Sequence, residues 1–124
     1  MFSFNVSNTM KMDDFLRKLS KQDLFSILNH YGQKGVDALA NATPIDTGIT
    51  ANSWRYRIER KSTGPTLVWY NTHTVDGRPI VIMLQYGHGT GTGGWVEGRD
   101  FINPVILPLF DEIATEVWRQ VTNG

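Results

Sequence analysis

The chain contains no cysteine. A disulfide framework, a thiolate zinc site and a cysteine nucleophile are therefore excluded. It also lacks net charge, with 12 basic against 12 acidic side chains. Binding to a nucleic-acid backbone needs clustered positive charge, so a dedicated nucleic-acid binder is not expected, and sequence-specific recognition still less. Long apolar runs are missing too. The longest, "IVIML" and "VIL", fall far short of the ~18 residues of a membrane span. "MFSFNVSNTMKMDD" has no basic region leading into an apolar stretch, so no secretory leader is expected. Lysine stops at Lys61, which removes a Walker loop from the second half.

What remains is enough for one globular domain over residues 1–124, of which 40% are hydrophobic. Glycine is abundant and unevenly spread. Six of the twelve lie in "YGHGTGTGGWVEGRDF", residues 86–101: Gly87, Gly89, Gly91, Gly93, Gly94 and Gly98. Charge is uneven as well. Residues 44–79 carry five basic and three acidic side chains, and residues 80–124 carry two and five. Such halves can meet head to tail in an assembly, although an ordinary solvated surface accounts for the same distribution.

Residues 1–12 read as a flexible or extended arm, and "MDDFLRKLS" as a short helix with acids in its first turn. Ser20 and Asp23 resemble a capping box. Leu24, Ile27, Leu28 and Tyr31 then recur at helical spacing, and the pattern runs through Ala38, Leu39 and Ala42 to Pro44. The spacing predicts a helix over 20–42, with Gly32 and Gly35 marking a kink or a close contact. Trp54, Tyr56 and Ile58 alternate with Arg55, Arg57 and Glu59, the period of a half-buried strand. Thr63-Gly64-Pro65 reads as a turn, "TLVWYNTHTV" as a second strand, and Asp76-Gly77 as a hairpin turn. "RPIVIMLQYG" fits either a strand or a short helix. Asn103 reads as an N-cap and Pro104 as a first helical residue, with Pro108 restricting where the regular helix begins. Ile106, Leu109, Phe110, Ile113, Val117 and Val121 line its inner face. The fold class is α+β: a small antiparallel sheet packed against a long helix in the N-terminal half and a C-terminal helix, with a Gly-rich loop. Trp54, Tyr56, Ile58, Leu67 and Trp69 are the expected core of the sheet, and Trp118 its rim or a contact surface.

The glycine loop invites several chemical readings. Gly89, Gly91 and Gly94 form a G-x-G-x-x-G, but a dinucleotide site needs a strand before it and a helix start directly after it. His73, Asp76, His88, Glu97 and Asp100 have metal-binding side chains at no compact spacing. There is no G-x-S-x-G elbow for a nucleophile. A His88/Asp100 acid–base pair remains open, as does a plain Arg99-Asp100 ion pair. Loops this long are usually functional or mobile, and one without a phosphate or nucleophile role is expected to order against another protein.

Two stretches, "ATPIDTGITANSWRYRIE" and "LQYGHGTGTGGWVEGRDFINPVI", carry a family resemblance. They hold, in order, a "P-[VI]-D-T-G-x-[LT]" turn, an "[EQ]-[YF]-G-[TH]-G" segment and an "F-[IL]-x-P-[AV]" helix entry. In this the chain resembles the gene-ten-like minor tail and neck proteins of long-tailed bacteriophages, over about residues 20–121. The resemblance implies a non-enzymatic virion protein without a cofactor, made in the host cytoplasm. It would act at the head–tail junction or upper tail, in tail completion or head–tail joining. It implies a homo-oligomeric ring, a hexamer or dodecamer, around a DNA channel, with other neck, head-completion, tail-terminator or tail-tube proteins as partners. The structural motif would comprise Pro44, Asp46, Thr47, Gly48, Phe101, Asn103 and Pro104. The expected subunit contacts are Gly87, His88, Gly89, Thr90, Gly91, Gly93, Gly94, Trp95, Arg99 and Asp100, together with the arm from Phe2 to Met12. Two other readings stand beside this one: a small phage-encoded hydrolase or nuclease using His88 and Asp100, and an assembly chaperone that is absent from the mature virion.

Overall fold

A computed structural model describes residues 2–5, 21–44, 48–61 and 64–123. The element order is β1 (Phe2–Asn5), α1 (Lys21–Ala42), a 3-10 turn (Ala51–Ser53), β2 (Trp54–Lys61), β3 (Gly64–Asn71), β4 (Thr74–Val75), β5 (Arg78–Pro79), α2 (Ile80–Tyr86), β6 (Gly87–Gly89), β7 (Trp95–Glu97) and α3 (Asn103–Asn123). The α+β class holds, with strands packed against helices. None of the described helices is long and apolar enough to cross a membrane.

The main sheet is antiparallel in the order β1-β3-β2. Residues 2–5 therefore form an edge strand, Phe2 opposite Trp69 and Asn5 opposite Thr66, which is the extended rather than the flexible form of the expected arm. The rest of the expected arm, the helix over "MDDFLRKLS" and Ser20 of the capping box lie outside the described residues. β2 and β3 pair from Trp54↔Asn71 to Lys61↔Gly64. Gly64 and Pro65, expected in a turn, already belong to β3. Pro65 is tolerated near the start of its strand because a strand end loses least from a missing N–H. The second strand also ends earlier than its sequence suggests. Thr72 and His73 break it, and Thr74–Val75 pair with Arg78–Pro79 across Asp76-Gly77. Asp76 and Gly77 both have positive φ, 52° and 76°, as the expected two-residue hairpin turn requires.

The helix α1 lies on one face of this sheet, and its two glycines explain how closely. A Cβ on Gly32 would fall on the Tyr56 ring, and one on Gly35 on the Trp69 indole. Trp69 also donates its indole N–H to the Gly32 carbonyl at 3.0 Å. The glycines thus mark a helix–sheet contact rather than a kink, a gain that outweighs their cost of roughly 1 kcal/mol each in helix propensity. Leu24, Ile27, Leu28 and Leu39 are buried along α1, and Trp54, Leu67 and Trp69 in the sheet. Tyr56 and Ile58 pack against them half-buried.

The last helix closes the core with Ile106, Leu109, Ile113 and Val117, and Phe110 stacks near Trp69 at 6.2 Å between ring centroids. It begins at Asn103, before Pro108. Ile106 donates to the Ile102 carbonyl, so the chain enters the helix one residue earlier than an Asn103 cap would place it. Pro104 then sits in the first turn, where a backbone N–H has no helical partner to lose. Trp118 is half exposed on the outer side.

Candidate functional site

The site grows out of the junction α2–β6–β7–α3. "RPIVIMLQYG" is resolved as two residues of strand followed by a helix, ended by Gly87 at φ +84°, whose N–H returns to the Met83 carbonyl. A left-handed residue there throws the chain outward. The chain comes back at Gly98, where a Cβ would land on the backbone of Gln85, Tyr86 and Gly87. Arg99 N–H then bonds the Leu84 carbonyl at 3.0 Å. Outgoing and returning backbones thus cross with no room for a side chain.

Between these crossings the expected open loop is a β-hairpin, because its strands are bonded to each other. Gly87 faces Glu97, His88 faces Val96 and Gly89 faces Trp95. The tip, Thr90 to Gly94, is closed by Thr90 N–H on the Gly94 carbonyl at 3.1 Å. The Thr90 hydroxyl accepts from Gly94 N–H at 3.1 Å and pairs with the Thr92 hydroxyl at 3.0 Å. Gly91 and Gly93 supply the left-handed φ values, 84° and 93°, that the tip needs. β7, not a helix, follows the last glycine of the G-x-G-x-x-G, so the geometry of a dinucleotide site is not formed.

Residues 89–97 are all exposed, and the hairpin presents large apolar side chains to solvent. Trp95 is 60% exposed, Val96 45%, and Tyr86 at the root 61%. The Trp95 indole lies against Gly87, in space that a side chain at that position would fill. On the other face of the ribbon His88, half-buried, pairs with Val96; its Nδ1 is buried and unpartnered among the described residues.

The hairpin is anchored by one buried amide. Gln85 is 6% exposed, and its Oε1 accepts from Phe101 N–H at 3.1 Å and Ile102 N–H at 3.2 Å. Its Nε2 donates to Asp100 Oδ1 at 2.6 Å. The same carboxylate accepts from Asn103 N–H at 3.1 Å and from the Asn103 amide at 3.3 Å. Asp100 therefore does the capping that the sequence assigns to Asn103. The Gln85 amide is the main cause holding the Asp100 carboxyl below its ordinary value near 3.8; desolvation pushes the other way, and the Asn103 and Ile102 donors reinforce the lowering. Phe101 and Ile102 are buried behind this knot.

The sequence-expected residues thus fall into separate groups. His88 and Asp100 do not hydrogen-bond to each other, and Arg99 makes no ion pair with Asp100 among the described residues. No group of three or more histidine, aspartate or glutamate side chains converges as a metal site among the described residues. His73 has a local role: its Nδ1 meets the Thr50 hydroxyl at 2.7 Å, and its carbonyl accepts from Ile80 N–H at 3.1 Å. In the first motif, Asp46 and Thr47 lie outside the described residues. Pro44 follows the end of α1, and Gly48, at φ +82°, accepts from Asn52 N–H at 3.0 Å.

Two supporting residues were not singled out in the sequence. One is Gln85, a lone amide in the apolar run "IVIMLQY", which is itself the signal, since a buried polar group needs partners. The other is Thr43, whose buried hydroxyl donates to the Leu39 carbonyl at 2.6 Å and accepts from the Trp54 indole at 2.8 Å. A shallow groove of about 360 Å³ runs between α1 and α3, lined by Ser26, Ile27, His30, Tyr31, Glu116 and Arg119. No protein-family model, no curated protein and no solved structure matches the chain.

Proposed function

We propose that the protein is a non-enzymatic structural component of a tailed-bacteriophage virion. In this reading it forms a ring at the neck or upper tail and serves tail completion or head–tail joining. The observation that carries the reading is the hairpin of residues 87–97. It is rooted in the core by Gln85 and Asp100, yet offers Trp95, Val96 and Tyr86 to solvent. Exposed large apolar side chains on a fixed projection suit a protein contact better than a catalytic pocket. A ring requires heterologous surfaces, one face of each protomer meeting a different face of the next, and a hairpin projecting from one side provides the first of these. The second of the two stretches that resemble the phage family contains the whole of this hairpin. Partners on this reading are further copies of the chain and the adjacent neck or tail proteins. The location is the virion, after assembly in the host cytoplasm, and DNA passes through the channel without being read.

Electron microscopy of a lysate from a phage with an early stop codon in this gene tests the proposal. Filled heads with separate tails support a joining or completion role, and abnormally long tails support termination. Normal particles overturn it. Mass spectrometry of purified virions distinguishes a resident protein from an assembly chaperone. His88→Ala addresses the enzyme reading, since an enzyme would lose its output with assembly intact.

A further inference from the structure

We draw no further inference here: the strongest candidate, the projecting hairpin of β6 and β7 that presents Trp95 to solvent, is an exposed apolar surface with nothing in the structure to show what covers it.

Discussion

Replacing Gln85 by leucine should unseat the hairpin more than any change on its surface. The side chains have similar volume, so the substitution removes three hydrogen bonds without opening a large cavity. Two of them serve Phe101 and Ile102, whose N–H groups lie where the chain is 4% and 0% exposed. A buried donor left without an acceptor costs about 1–3 kcal/mol. Allowing for the apolar gain from leucine, the net loss is about 3 kcal/mol. For a chain of this length 1 kcal/mol moves the melting temperature by about 4 °C, so a fall of about 12 °C is expected. Thermal unfolding and urea titration, both by circular dichroism, read this directly. A companion variant separates hydrogen bonding from packing. Gln85→Glu places a second carboxylate beside Asp100, which raises its own pKa. Its destabilisation therefore grows as pH rises past the ordinary glutamate value of about 4.3 and fades below it, where the protonated acid can again donate to Asp100 and accept from the backbone. A loss below about 1 kcal/mol for Gln85→Leu, or a pH-independent deficit for Gln85→Glu, would refute the reasoning.

Three further outcomes are expected. Gly35→Ala, though favourable for an isolated helix, should destabilise by about 2 kcal/mol because its methyl meets the Trp69 indole; an unchanged urea midpoint would contradict that packing. Thr43→Val should cost about 1–2 kcal/mol, since it leaves the buried Trp54 indole N–H without its acceptor, and near-ultraviolet circular dichroism would report the altered tryptophan environment. The Asp100 carboxyl titrates lower in the folded chain than in the unfolded one. Its contribution is thus complete above its ordinary value and disappears as pH falls through the lowered one, so the gap between wild type and Asp100→Ala in urea midpoint should be widest near neutrality and narrow in strong acid.

Elements with a clear period were readable in advance. The spacing of Leu24, Ile27, Leu28 and Tyr31 gave α1 within a residue of its start, and Asp76-Gly77 gave the turn with its positive φ values. Both depend on local preference and one buried face. The junction was less legible. "IVIMLQY" is too short for periodicity to separate strand from helix, and Gln85 finds its partners fifteen to seventeen residues away. The glycine tract suggested an open loop because glycine weakens any local signal, whereas the hairpin comes from cross-strand bonds and from crossings that exclude a Cβ at Gly87 and Gly98. In the sequence Asp100 pairs as readily with His88 or Arg99 as with anything else. Its role as the helix cap depended on where α3 begins, and Pro108 obscured that point.

The strand order β1-β3-β2 has a kinetic consequence. β2 and β3 meet across a very short connection, while β1 must wait for a partner that closes a loop on the order of 65 residues. The hairpin of β2 and β3 should therefore form early and the edge strand dock late. Until it does, the backbone edge of "TLVWY", the most apolar part of the sheet, stands open to any strand that arrives first. In a concentrated refolding mixture that strand belongs to another molecule, so recovery of native protein should fall as concentration rises, although the finished domain buries Leu67, Val68 and Trp69 almost completely.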